Sequence, residues 1–317
     1  LKILALVDHR QESLAAADFA SGLAARLAAE LGVVVVRHAT QATEAPAPVG
    51  VATALAGWQP PPGIAALLAA AGRLAARGLI AELAAITLRD RPHGHVFHAP
   101  RLDGAGRVAF IERFGALVAE LNQEIDEGRW ALVVAAAPRR GPLGRFVSAN
   151  LPRKLALDLH ASFLVVRGGG LESRLVVCVD GSPPSRRIFP LLRRLLPALG
   201  GPIEILCVLP PAGAAAPEPS EHCLAQARAW LGACEREVRL SRPRAARRAT
   251  PILAAAGSGA IIVTGESRHH DLRRRTLGTL PLKLLARTDS SFLMVKGAVE
   301  PDPEHFEEGA ACPLDGR

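Results

Sequence analysis

"LPLKLLARTDSSFLMVKG" occupies residues 280–297, and "LPRKLALDLHASFLVVRGG" starts at residue 151. Leu-Pro-x-Lys-Leu and Ser-Phe-Leu-x-Val recur in both at a constant offset of 129, Leu151 matching Leu280 and Ser162 matching Ser291. Each stretch reads as a helix with apolar positions at helical spacing, followed by a short buried strand. The front of each copy repeats too: "LKILALVD" (1–8) and "RLVVCVD" (174–180) are apolar runs closed by an aspartate, Asp8 and Asp180. There the offset is 172, so the first copy is longer than the second by 43, the surplus placed at about 40–105. Self-similarity of this kind means one architecture written twice in one chain.

Between those ends the second copy alternates. Strands are expected at 174–180, 202–209, 238–240, 259–265 and 290–297, with helices over 185–200, 223–237, 244–257 (bent near Pro251) and 280–287. The first copy shows a strand at 1–8, a helix over 13–32, a strand at 33–39, and, beyond the extra residues, a strand within 129–138. The extra residues include Pro-rich turns, an alanine-rich helix over about 63–85 and the loop "RPHGHVFHAP". Strands alternating with helices predict an α/β fold: a mainly parallel five-stranded sheet per copy, with helices on both faces. The expected units are 1–170, 173–297 and a tail, 298–317.

A chain of 317 residues accommodates two such cores. Hydrophobic residues make up 49% but aromatics only 4%, with no tyrosine, so alanine, leucine and valine must build them. No apolar run approaches the roughly 18 residues that a membrane span needs. No charged-then-apolar leader is present either, so neither a span nor a secretory signal is expected. The chain opens on Leu1 rather than methionine, which leaves the true start open. All five cysteines lie in the second half without C-x-x-C spacing, which suits a reducing cytoplasm and argues against a metal site. Charge is uneven. Residues 1–172 carry 18 basic and 15 acidic groups, 173–297 carry 19 and 9, and 298–317 carry 1 and 6. A basic unit with an acidic tail invites anions: nucleotide phosphates, nucleic acid, or the tail itself folding back on the arginine-rich face.

The second copy resembles a universal stress protein domain. That family carries, after its fourth strand, the signature G-x-x-G-x9-G-[ST]. Here the strand is "IIVTG". Gly265 is the first glycine, Arg268 stands at the second, and Gly278 and Thr279 hold the last two positions at the family's spacing. The resemblance implies two tandem domains of the adenine nucleotide alpha hydrolase-like fold. It also implies ATP as ligand, with no metal beyond a Mg accompanying the nucleotide. Asp180 would contact the nucleoside and Val208 would offer main-chain groups to the adenine. The physics is that amides of a glycine-rich loop entering a helix form a nest for phosphate. Arg268 and Pro281 depart from the family pattern. Arg268 adds a guanidinium that can itself hold phosphate, and Pro281 removes a hydroxyl and a donor.

In the first copy every signature glycine is gone: Ala136, Arg139, Ala149 and Asn150 occupy the four places, and "GPLG" at 141–144 is out of register and reads as a turn. This copy is expected to pair with its twin rather than bind ATP. The implied partners are thus an adenine nucleotide and the chain's own second unit, with a homodimer as a further possibility.

Other clusters read more plainly. His93, His95 and His98 could offer two ligands on one face, but no third ligand stands at fixed spacing, so a solvated loop is favoured. "RHHDLRRR" (268–275) and "RPRAARR" (242–248) suit phosphate backbones. They lack interleaved aromatics, so nucleic acid is the weaker reading. No nucleophile elbow, Walker loop or paired acids point to catalysis beyond slow ATP hydrolysis. The tail's composition predicts disorder. The reading is a binding protein of stress response or signalling. The rivals are a regulatory module of a membrane transporter and a phosphate-backbone binder.

Overall fold

The computed structural model describes residues 1–38, 52–137, 150–213, 236–266 and 280–297, together with 224, 225, 227 and 229. The first half runs β1 (Lys2–Leu6), α1 (Leu14–Leu27), β2 (Glu30–Arg37), β3 (Ala52–Ala54), α2 (Pro62–Ala76), β4 (Ala85–Thr87), β5 (Arg89–Arg91) and β6 (Gly94–Pro100). It continues with β7 (Arg107–Phe114), α3 (Leu117–Gly128), β8 (Leu132–Ala136), α4 (Asn150–Asp158) and β9 (Ser162–Val166). The second half runs β10 (Leu175–Cys178), α5 (Pro183–Arg186), α6 (Ile188–Leu195), β11 (Ile203–Leu206), β12 (Val238–Ser241), α7 (Ala249–Ala256), β13 (Ile261–Gly265), α8 (Leu280–Arg287) and β14 (Ser291–Val295).

Twelve strands form one sheet in the order β12-β11-β10-β13-β14-β9-β8-β1-β2-β7-β6-β5. β12 to β14 are parallel, as are β9 to β7. Each set has one strand order, with the first strand of the half in the middle. The two sets meet at β9 and β14, which pair antiparallel with Leu164 opposite Leu293. Those two leucines are each other's equivalents in the sequence repeat, so the repeat becomes a pseudo-twofold axis between matching residues. The pairing of one copy with the other is therefore main-chain hydrogen bonding in a shared sheet.

Alternation along each strand divides the core. Ile3, Ala5, Val134, Val177, Val263 and Leu293 face one side, with α1, α2 and α6 over them. Leu4, Val133, Val176, Ile262 and Phe292 face the other, under α3, α4, α7 and α8. Strands buried on both faces read as continuous apolar runs, which is why they were legible. Each layer contains residues of both halves, so the two copies share continuous cores.

Several expected boundaries move. The helix over 13–32 ends at Leu27, because Ala28 turns left-handed (φ 47°) and β2 starts at Glu30. Arg101 explains the stop: its guanidinium donates to the carbonyls of Ala24 and Ala29, holding the helix end. The helix over 63–85 is α2, ending at Ala76 ahead of Gly78 (φ 71°). The bend near Pro251 does not occur. α7 starts at Ala249, so proline sits in the first turn, where no intrahelical amide bond is lost. "HGHVFH" is not a loop. It forms β6, which pairs antiparallel along β7 and covers the outer edge of the first set. β5 adds to it through a two-residue turn, Pro92-His93, in which His93 takes φ 62°. Proline then a left-handed residue is the pattern of a type II turn. Helix 223–237 is described at Leu224, Ala225, Ala227 and Ala229, all helical, and at Arg236 and Glu237, which are not: the helix has ended before Arg236, where the chain bends into β12. The tail 298–317 lies outside the described residues.

Candidate functional site

In the second half the chain begins in the middle of its set, moves outward through β11 to β12, then returns to β13 and β14 on the other side. β10 and β13 therefore flank a topological switch point, where the crevice beyond the strand ends takes ligands in open α/β sheets. Three sequence-predicted residues converge there. Asp180 lies two residues past β10, Val208 two residues past β11, and Gly265 ends β13.

Asp180 is exposed. Its Oδ1 accepts the Ser182 amide at 3.1 Å and the Ser182 hydroxyl at 2.5 Å, while its Oδ2 stands 3.9 Å from the Arg248 guanidinium. The carboxylate is thus aimed by its own turn, and one oxygen keeps capacity to accept. Val208 buries its side chain, yet neither its amide nor its carbonyl makes a main-chain bond among the described residues. Its neighbours are engaged: Cys207 donates to Ser241, and Leu209 donates to Pro243 and accepts from Ala245. Val208 therefore presents one donor and one acceptor at a strand end, the pattern an adenine edge requires. Gly265 pairs with Val295, and the next amide, Glu266, donates to the Val295 carbonyl at 2.9 Å. Arg268, Gly278 and Thr279 lie outside the described residues. Pro281 is buried in the first turn of α8, where its missing donor costs no helix bond.

Two residues at this end were not singled out in the sequence. Thr264 is buried, and its hydroxyl has no hydrogen-bond partner among the described residues. It sits in an otherwise apolar strand, and that contrast was its only signal. Arg248, opposite Asp180, was visible merely as one of many arginines. Cys178 lines the same strand end, but burial, aided by Asp180 and Glu204, pushes its thiol up to about 12, so it is not a nucleophile.

At the equivalent place of the first half Asp8 keeps the turn seen at Asp180: its Oδ1 accepts the amide two residues on, Arg10, at 2.8 Å, and its own amide donates to Ser13 Oγ at 3.0 Å. The glycine positions are what differ. Ala136 ends β8 where Gly265 ends β13, and Asn150 opens α4. The charge of this half is gathered at its outer edge instead. Glu112 on β7 is 2% exposed, accepts from His95 Nδ1 at 2.9 Å when that nitrogen is protonated, and lies 3.4 Å from Arg37. Arg113, on the opposite face, donates to Glu120 at 3.0 Å, Glu124 at 2.8 Å and Glu127 at 3.0 Å. Glu124 also accepts from Arg91 at 3.1 Å and Trp130 at 3.1 Å. The three histidines separate: His93 in the turn, His95 on Glu112, and His98 half-buried, its imidazole pushed below the usual range by burial and then by Arg107, Arg89 and Arg91. No group of three or more His, Cys, Asp or Glu among the described residues is arranged to hold a metal ion.

The fold and the strand-end crevice define a doubly wound α/β chain of two copies joined through their last strands. Its fold is that of tandem universal stress proteins. A universal stress protein from Archaeoglobus fulgidus DSM 4304 superposes with a TM-score of 0.60 at 14% identity, over 94% of this chain and 97% of that one. A functionally unknown protein from Pseudomonas aeruginosa PAO1 follows with a TM-score of 0.57 at 13% identity, covering 93% and 92%. The sequence matches no family model and no curated protein. No helix among the described residues is long and apolar enough to cross a membrane.

Proposed function

We propose that the second half binds an adenine nucleotide, ATP in the first instance, and that the chain acts in the cytoplasm as a stress-response or signalling protein by binding rather than turnover. The observation that carries this reading is the unengaged main chain of Val208 beside the pre-aimed carboxylate of Asp180, at the switch point of the second sheet set. In this reading Val208 takes the adenine edge and Asp180 the ribose hydroxyls. Gly265, Arg268, Gly278 and Thr279 hold the phosphates, with the N-terminus of α8 behind them. The buried Thr264 hydroxyl, otherwise unsatisfied, gains a partner when a polar ligand or its water enters. In this reading the nucleotide serves as a ligand rather than a substrate. The first half, with alanines at two of the glycine positions, serves as the structural twin.

Calorimetric titration of the intact chain with ATP, in the presence of Mg, tests this. Micromolar binding that is lost in Gly278→Val and weakened in Asp180→Asn is expected. No binding to the intact chain, or equal binding to both variants, overturns it.

A further inference from the structure

We infer that the outer edge of β12 is a docking site for the acidic segment 298–317 of this chain, added as a further antiparallel strand. The two ends of the sheet are treated differently. In the first half the outer strand β7 is covered by the antiparallel β6. In the second half the equivalent strand, β12, ends the sheet, and no strand among the described residues covers it. The carbonyls of Glu237, Ser241 and Pro243 accept amides from the β11 side. By alternation the main-chain groups of Val238 and Leu240 point outward, donors and acceptors that invite a strand. Leu240 is also one of two exposed large hydrophobic residues among those described, at 37%. The edge therefore presents apolar surface, with Glu237, paired to Arg239, as the acid beside it.

Charge selects the occupant. Residues 236–248 contain six arginines against one acid, Glu237, so a second copy presenting the same edge meets like charge. The segment 298–317 carries six acids and one arginine. Geometry permits it as well. β14 and β12 are parallel, so the chain leaves β14 at the end of the sheet where β12 finishes. A strand added outside β12 stands five strand spacings from β14, about 24 Å, a distance spanned by about seven extended residues. Lys296 to Pro303 cover it, and the two prolines on the way need no ladder partner. The chain then descends antiparallel to β12 with "EHFEEGAAC" (304–312), which has no proline and carries Glu304, Glu307 and Glu308 beside Phe306. On this path the connecting residues cross the ends of β13, β10 and β11, the crevice given above to the nucleotide, so the two compete and the exchange measurement is made without ATP.

Hydrogen exchange of the Val238 and Leu240 amides tests the proposal, comparing the full chain with a chain ending at Gly297. Expected is at least tenfold slower exchange in the full chain, lost on truncation and in a Glu304→Lys, Glu307→Lys, Glu308→Lys variant, and reduced by 0.5 M salt. Exchange in β9 and β14 serves as the folding control and stays unchanged. Equal exchange with and without the segment overturns the proposal. So does protection that survives truncation and falls on dilution, which assigns the edge to a second copy instead.

Discussion

The Ser162 hydroxyl accepts the main-chain amide of Lys296 at 3.1 Å across the junction of the two halves. The pseudo-twofold axis repeats the contact: the Arg167 amide donates to the Ser291 hydroxyl at 3.2 Å, and that hydroxyl donates on to the Gly168 carbonyl at 2.9 Å. Each serine opens one copy's last strand and satisfies the chain where the other copy's last strand ends. The serine in Ser-Phe-Leu-x-Val thus stands in both copies for a reciprocal task. It extends the short β9·β14 ladder beyond its paired residues.

Removing the Ser162 hydroxyl takes a partner from the Lys296 amide, and removing the Ser291 hydroxyl takes one from the Arg167 amide and one from the Gly168 carbonyl. Ser162→Ala and Ser291→Ala are each expected to lower stability by about 1–3 kcal/mol, with Ser291→Ala the larger because it loses two bonds. Urea unfolding checks the order. Since each layer of the core runs through both halves, the loss should appear as one cooperative transition shifted to lower denaturant, not as early unfolding of one half.

Lys296 supplies a pH signature for the same junction. It is 6% exposed, its ammonium donates to the Leu159 carbonyl at 2.6 Å, and Glu266 lies 3.6 Å away. Burial holds its pKa below the usual 10.5, with Glu266 opposing the shift. At Lys296 the folded state then binds fewer protons than the unfolded chain between the lowered pKa and 10.5, so this group's contribution to stability rises with pH across that window. Lys296→Met should flatten this rise. Cys178, raised from 9.0 to about 12, works the other way over the same range, its contribution falling as pH rises, so the Lys296 effect is read as the difference in slope between the two proteins. A stability profile below pH 10.5 with the same slope in both proteins would remove Lys296 as its source.

Much of this was legible in the residues. β9 and β14 could be read because both faces are buried and the repeat marks them. Asp180, Val208 and Gly265 were named from the family resemblance, and the strand order sets all three at the same end of neighbouring strands. The stop of α1 at Leu27 was hidden because an alanine, Ala28, takes the left-handed position that glycine usually marks, and Arg101, far along the chain, holds the helix end. β6 was misread because His93, Gly94 and Pro92 resemble loop punctuation, while its pairing to β7 is a tertiary fact. The Glu112 and Arg113 clusters gave no local signal either. Adjacent residues of opposite charge on a strand face opposite layers, and only the fold shows both to be buried.

Gly63 connects the extra segment to that cluster. A Cβ there would stand 2.0 Å from Glu112 Oε1 and 2.6 Å from Arg37 Cδ, so the first turn of α2 lies directly against the buried carboxylate. The helix N-terminus favours the negative charge. Gly63→Ala must therefore displace Glu112 from Arg37 and His95, despite alanine's better helix propensity. A loss of about 1–3 kcal/mol is expected, with altered chemical shifts of the His95 ring. Gly72→Ala, where no atom lies within 4 Å, is the control and should stabilise α2 by up to about 1 kcal/mol.

Arg113 tests how that edge tolerates acid. Burial alone would lower its affinity for a proton, but its hydrogen bonds to Glu127, Glu120 and Glu124 outweigh this and hold it charged. In return the Arg113 hydrogen bond holds the Glu127 carboxyl below the usual 4.5, against a smaller opposing effect of burial. A depressed carboxyl contributes stability that is fully present above 4.5 and is lost as pH falls through the lowered value. Arg113→Met removes the cation and leaves Glu124, 2% exposed, with Arg91 as its remaining cationic partner. Loss of one member of a buried ionic group costs about 3–5 kcal/mol. In the variant the carboxylates take up protons at higher pH, so part of the deficit should be recovered between neutrality and pH 5, where the wild type gains nothing. Stability measured across that range decides: a variant that parallels the wild type at every pH would mean that Arg113 acts by packing alone.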